Sequence, residues 1–405
     1  MQSKDSTASA SPSPIPLSVP VLRGNEWKYV KDCLDTGWVS SVGSYVDRFE
    51  QEVAKFVGAG YGVATSSGTA ALHVALQIVG VEPEDEVLVP ALSFIAPANA
   101  VRYLGAWPVF IDAEPRYWQM DVEKVESFLQ EECVQEGSAL RNKSTGRRVR
   151  AILPVHILGH PCDLDVLRTL ASRYDLRLVE DATESLGAQY KGRAIGSLGD
   201  VACFSFNGNK LLTTGGGGML VTHDEAWARQ AKYLTTQAKD DAIEYIHCRI
   251  GYNYRLTNLQ AAVGCAQLEQ LEHFVAFKRR LAARYRTAFD SLPQIQVMSE
   301  APWATSSFWL STVLLDPAMT NIDRRTLRKI LAERHIETRP LWQPLHRSPA
   351  HRGAQSYHCV VADQIQEQAL SLPSSTNLTD AEQERVIDDL KMALPRLTGK
   401  AAGQV

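Results

Sequence analysis

Between residues 60 and 237 short apolar runs alternate with amphipathic stretches, and nothing else in the chain limits its fold as sharply. "YGVAT" precedes "GTAALHVALQIVG", "DEVLVP" precedes "SFIAPANAVRYLG", and "WPVFID" precedes "DVEKVESFLQ". "RAILPVH" leads to "DLDVLRTLASRY" and then "LRLVED", and "VACFSF" and "GGMLVT" come before "DEAWARQAKYLTTQ". Strand and helix periods in that order predict βα units and an α/β domain with a mostly parallel central sheet flanked by helices. This large domain is expected over 15–255. The charged, Gly- and Ser-containing stretch "QEECVQEGSALRNKSTGRRVR" interrupts the rhythm and reads as a surface excursion.

Beyond it, "TNLQAAVGCAQLEQLEHFVAFKRRLAARYRTAFDSL" has apolar residues at helical spacing behind a capping Thr and Asn. Connecting helices are expected over 256–289, with a break near His273. Residues 290–396 mix strand-like "FWLSTVLL" with helical "DRRTLRKILAERH" and "DAEQERVIDDLKMAL", which predicts a smaller C-terminal α+β domain. A Ser-, Ala- and Pro-rich opening over 1–14 and residues 397–405 are expected to be disordered tails.

A chain of 405 residues, 45% hydrophobic and 22% charged, can bury a large core. Its formal charge of −4 supplies no footprint for nucleic acid or an anionic membrane. The 7 cysteines include no CxxC pair, no metal-ligand spacing is visible, and no apolar run is long enough to span a bilayer. A reducing, cytoplasmic setting is expected, with no metal, nucleic-acid or membrane partner.

The chemistry concentrates in "FSFNGNKLLTTGGGGML", residues 204–220. A phosphate-binding P-loop would place glycine before the lysine and a helix after it, and here Lys210 precedes the glycines. A dinucleotide fingerprint would turn from strand to helix, whereas these glycines lead into another strand. What remains is Lys210 itself, the one charge between residues 201 and 223, in a setting that suits Schiff-base chemistry. A lysine snorkelling at a strand end is the bland alternative.

Upstream, "LVEDATESLGA" ends an apolar strand on Glu180 and Asp181, with Glu184 following. Ligands of open parallel sheets bind at the carboxyl ends of strands, and a buried carboxylate there can keep a pyridine nitrogen protonated; a helix cap is the competing role. "ATSSGTAALH" sets Ser66, Ser67, Gly68 and Thr69 at a helix start, a cradle for phosphate or ordinary capping. Phe94, just past "EVLVP", offers a face for ring stacking or a core side chain. Lysine, carboxylate, hydroxyl cradle and aromatic face together call for pyridoxal phosphate.

With these motifs the chain resembles the sugar-nucleotide aminotransferases of the DegT/DnrJ/StrS family, which have the fold-type I architecture of pyridoxal phosphate enzymes. The resemblance runs from about residue 15 to about residue 395 and rests on "WVSSVGSYVDRFE", "SSGTAALH", "PALSFIAPANAV", "PVHILGHPCDLD", "EDATESLGA", "FSFNGNK" and "GYNYRLTN". It implies that Lys210 forms the internal aldimine, that Asp181 pairs with the pyridine nitrogen and that Phe94 stacks on the ring. It implies a phosphate held by Ser67, Gly68, Thr69 and Ser205, and by Asn253 from a neighbouring subunit, hence a homodimer with shared sites. L-glutamate and a nucleotide-linked ketosugar are the implied substrates.

The chain departs from the usual family pattern at three places. Glu184 stands near the cofactor's phenolic oxygen where many members have Gln or His, Asn207 replaces a common His, and the turn at 215–218 is all glycine. These features resemble the subgroup that aminates a 2-acetamido-2,6-dideoxy-4-ketohexose for legionaminic acid and bacillosamine synthesis. The resemblance also suggests substrate contacts at His156, Tyr252, Arg255, Trp342, His346 and Ser41. His156 can equally be a structural histidine, Trp342 interdomain packing, Arg255 a loop tether and Ser41 a turn residue. A lyase or decarboxylase on the same fold, or a noncatalytic regulator, would share part of the constellation.

Overall fold

The computed structural model describes residues 13–241 and 243–394, so the expected tails lie outside the described residues apart from 13 and 14. The main sheet takes, in chain order, β1 (Tyr61–Thr65), β2 (Glu86–Pro90), β3 (Trp107–Ile111), β4 (Val149–Ile152), β5 (Arg177–Asp181), β6 (Val201–Ser205) and β7 (Gly218–Thr222). A second sheet is built from β8 (Ile295–Val297), β9 (Ser311–Leu315), β10 (Arg339–Pro340) and β12 (Ala369–Leu372), while β11 (Ser356–Tyr357) returns to the main sheet. The main sheet has the order β1-β7-β6-β5-β4-β2-β3-β11.

All neighbouring pairs from β6 to β11 are parallel, and β7 alone runs antiparallel to both β1 and β6. A parallel return needs a crossover, usually a helix, and residues 206–217 contain none, so the chain comes back antiparallel. The parallel strands are mostly apolar along their middles, because both faces of the sheet are covered. Val87 and Val89 enter one core while Leu88 enters the other, as the two-residue period of a strand requires. The rhythm read from the sequence thus became a three-layer fold-type I architecture.

The C-terminal region differs from a self-contained unit. Ile15, assigned from sequence to the large domain, is 1% exposed, bridges Ile336 and joins the core of the second sheet with Leu281, Tyr285 and Phe289. An apolar side chain ahead of a polar segment goes to the nearest open core, whatever its place in the chain. Ser356–Tyr357 extends the main sheet beside β3, and Ala304–Thr305 pairs with Gln189–Tyr190. The helix break falls between Asn258–Leu268 and Leu271–Phe289, before His273. It is pinned there by Glu269, which accepts from Asn25, Tyr29 and Arg48.

The charged excursion is a hairpin of Cys133–Glu136 and Ala139–Asn142 whose tip is exposed and whose open end, where Cys133 pairs with Asn142, is buried. Asn142 Nδ2 donates to Glu86 Oε2 at 2.8 Å and to Gln355 Oε1 at 2.5 Å. The hairpin thus shares with the Thr145 hydroxyl, 2.7 Å from Glu86 Oε1, the task of satisfying a buried carboxylate at the start of β2.

Candidate active site

At the carboxyl ends of β5 and β6 a cavity of about 470 Å³ opens, walled by Ser66, Ser67, Gly68, Thr69, Phe94, Thr183, Glu184, Ser205, Asn207, Asn209, Lys210, Gly216, Gly217, Trp309 and Trp342 among others. Three chain features converge on it. Helix Gly68–Ile78 begins at its edge with Ser67 as cap, accepting from the Ala70 N–H at 3.1 Å. The turn after β5 brings Thr183 and Glu184, and the turn after β6 brings Asn207, Asn209 and Lys210.

Lys210 reaches into this space with its Nζ 3.3 Å from Glu184 Oε1 and 4.0 Å from the centre of the Trp309 ring. The other Glu184 oxygen accepts the Leu158 N–H at 2.8 Å. Burial pushes the Glu184 carboxyl up from its ordinary value, and Lys210 opposes that rise. Glu184 is thus held on both oxygens.

Asp181 is 2% exposed at the end of β5, and its Oδ1 accepts the Thr183 N–H at 3.0 Å. Burial raises its carboxyl, with the Thr183 hydrogen bonds and the Lys210 charge acting the other way. Asp181 is not in the cavity wall; Thr183, which it holds, is. The phosphate end of the site is fitted closely: a Cβ on Gly68 would stand 2.8 Å from Ser205 Cβ and 3.2 Å from Thr183 Cγ2. Only glycine lets the helix start, with its unpaired N–H groups, approach the end of β6 this closely. Amine, buried carboxylate and a helix start able to cradle an anion fit pyridoxal phosphate.

Several sequence candidates lie elsewhere. The ring of His156 is fully buried; its Nδ1 accepts the Cys162 N–H at 3.0 Å, so its Nε2–H faces Glu180 Oε2 at 3.1 Å. Glu180 also accepts from the Leu198 and Gly199 N–H groups, so His156 belongs to a bracket under the strand ends rather than to the cavity wall. Tyr252 donates to Gln77 at 3.1 Å and stacks on Tyr254 at 4.8 Å, away from Lys210. His346 sits 3.3 Å from Asp363, and Ser41 is absent from the wall. Asn253 is exposed, with Arg255 donating to it at 3.4 Å, and neither reaches the cavity of its own chain.

Phe94 and Trp342 are in the wall, Phe94 with 54% exposure. The sequence reading missed Trp309, Thr183 and Asn209. Thr183 could have been found from its place between Asp181 and Glu184. Trp309 had no local signal, since it comes from a segment about a hundred positions away that reads as the lead-in to a strand.

A family model described as the DegT/DnrJ/EryC1/StrS aminotransferase family matches residues 20–391. The chain belongs to that family. Two GDP-perosamine synthases are 38% identical: that of Escherichia coli O157:H7 over 90% of this chain and 94% of its own length, and that of Caulobacter vibrioides over 94% and 98%. Among solved structures, DesV of S. venezuelae superposes with a TM-score of 0.81 at 33% identity, covering 93% of this chain and 99% of that one. As a DegT/DnrJ/EryC1/StrS aminotransferase the protein is a pyridoxal phosphate-dependent enzyme. Among the described residues no helix is long and apolar enough to cross a membrane.

Proposed function

We propose that the protein transfers the amino group of L-glutamate to C4 of UDP-2-acetamido-2,6-dideoxy-hexos-4-ulose. The product would be the UDP-linked 4-amino-2,4,6-trideoxy sugar with an equatorial amine, for glycans of the nonulosonate or bacillosamine type. The observation that carries the reading is the Lys210 amine held between Glu184 and the Trp309 face, beside a helix start that accepts a phosphate. Glu184 and the all-glycine turn favour the 2-acetamido substrate within the family.

Pyridoxal phosphate, when bound, supplies an aldehyde that captures amines and a ring that takes up electrons from the bond broken beside nitrogen. Lys210 would hold it and then, once freed, move a proton away from the donor's α carbon and later back toward sugar C4. Asp181 would keep the ring nitrogen's proton in place, and its burial makes that proton worth holding. Glu184 would orient the Lys210 amine, and the start of helix Gly68–Ile78 would anchor the phosphate. Phe94 and Trp342 would cover the site, and Asn253 with Arg255 would serve the site of a second subunit in a homodimer.

The GDP-perosamine synthase relatives favour a second reading, in which the ketosugar is GDP-linked and lacks the acetamido group. Reconstituted protein given glutamate and then UDP-, GDP- or dTDP-linked 4-ketosugars separates the two by mass spectrometry of the nucleotide products. Amination of the UDP-acetamido sugar alone supports the first reading, and amination of the GDP sugar alone replaces it. Lys210→Ala should lose the visible absorbance of the lysine-linked cofactor and fall at least about 10³-fold in turnover. If no ketosugar accepts nitrogen from glutamate, the sugar assignment fails even with the cofactor bound.

A further inference from the structure

Lys278 lies on helix Leu271–Phe289, is 2% exposed, and forms no ion pair among the described residues. Its Nζ donates to the Trp309 carbonyl at 2.7 Å and to the Ser374 carbonyl. Ser374 in turn donates its N–H to Leu17 O at 2.6 Å and accepts the Ser311 N–H on its hydroxyl at 3.0 Å. One buried amine therefore joins the long helix, the entry to β9 and the exit of β12.

The segment that Lys278 holds is strained. Phe308 has φ of 48°, a left-handed conformation that a bulky side chain adopts only at a cost. Such a turn persists only when its surroundings fix it from several sides. Arg279, next to Lys278, donates to the Ser306 carbonyl at 2.7 Å, and the Ser306 hydroxyl donates to Gly159 O at 2.9 Å. The Ser307 N–H donates to the same Gly159 carbonyl at 3.0 Å, and the Ser307 hydroxyl to the Glu184 carbonyl at 3.4 Å. At the end of this turn the Trp309 indole N–H donates to Asn209 O at 2.8 Å, one residue before Lys210, and the ring face lies 4.0 Å from Lys210 Nζ.

We propose that Lys278 is a positioning residue, which captures the Trp309 carbonyl at the end of the strained turn and so sets the indole face against the Lys210 amine. Lys278 touches neither cavity nor Lys210 and acts only through Trp309. Burial lowers its amine to about 7, and both protonation states keep at least two N–H donors for its two carbonyls. The clip therefore survives on either side of neutrality. A ring at this distance is attracted to the ammonium and shields one side of the amine.

The role rests on Lys210 being the working amine, so the test reads Lys210 directly in cofactor-free protein, with no sugar present. Acetylation of Lys210 by N-acetoxysuccinimide at fixed pH is followed by peptide mass spectrometry in wild type, Lys278→Met, Trp309→Leu and the double variant. The expected result is a rate about threefold to tenfold faster in each single variant, and no faster in the double, because both changes remove one contact. In holoenzyme, Lys278→Met should lower kcat for glutamate while leaving its KM near the wild-type value. Should Lys278→Met fail to fold, Lys278→Leu, which likewise carries no donor for either carbonyl, takes its place with the same expectation. An unchanged Lys210 rate in a folded Lys278 variant, or additive effects in the double variant, overturns the proposal; loss of glutamate activity with an unchanged Lys210 rate overturns it too. Failure of the sugar assignment leaves all these readings intact.

Discussion

Asp181 and Lys210 are tied to their places by different means, and their substitutions separate chemistry from folding. The Asp181 carboxylate is held by hydrogen bonds from the Thr183 N–H and side chain, which an amide oxygen can also accept. Asp181→Asn should therefore melt near wild type while kcat/KM falls by about 10²–10⁴-fold, read by steady-state kinetics beside calorimetry. The glycine turn divides in the same way. Gly217 has φ of 112°, and a Cβ there would stand 2.5 Å from Leu256 Cδ1, whereas a Cβ on Gly216 would meet only Gln260 Nε2 at 3.4 Å. Gly217→Ala should cost about 1–3 kcal/mol in denaturant titration, and Gly216→Ala less than about 0.5. Of the four glycines that mark this sequence, Gly216 is the one the backbone does not demand.

Among the elements, the hairpin of Cys133–Glu136 and Ala139–Asn142 shows how a surface-looking insertion can become structural. Burial pushes the Glu86 carboxyl up, and Asn142 and Thr145 hydrogen bonds hold it back. A carboxyl raised on folding binds its proton more tightly in the native state, so its contribution is full at low pH and is lost as pH rises through the raised value. Asn142→Ala removes a donor that favours the charged form and raises Glu86 further. The variant should lose about 1–3 kcal/mol at pH 8 and less at pH 4.5, measured by urea titration at both values. The helix at Gly68–Ile78 was legible from "SSGTAALH" because capping and glycine signals are local. The burial of Asn142 was not, since its partners Glu86 and Gln355 are distant in sequence.

For the whole molecule, the proposed homodimer would have exposed apolar side chains to cover. Trp27 is 78% exposed, Trp38 57%, Ile243 84% and Ile250 85%, an arrangement costly to leave in water. Asn253 follows closely after this last group and does not reach its own cavity. If sites are shared across a homodimer, Lys210→Ala and Asn253→Ala disable different halves of one site. Co-expressed and purified as a mixed dimer, the two inactive variants should regain one working site, about half of wild-type turnover. A monomer by analytical ultracentrifugation, or a mixed dimer as inactive as its parents, removes the shared-site reading.

The sequence by itself determined the βα order, the parallel sheet and the cluster of Lys210, Asp181, Glu184 and residues 67–69, because each depends on period, capping or strand-end position within a few neighbouring residues. Tertiary structure alone decided that Trp309 covers Lys210, that His156 belongs to the Glu180 bracket, and that Ile15 packs with the C-terminal sheet. These are contacts between segments far apart in the chain, where packing and the pairing of buried polar groups choose the partner and no local pattern records the choice.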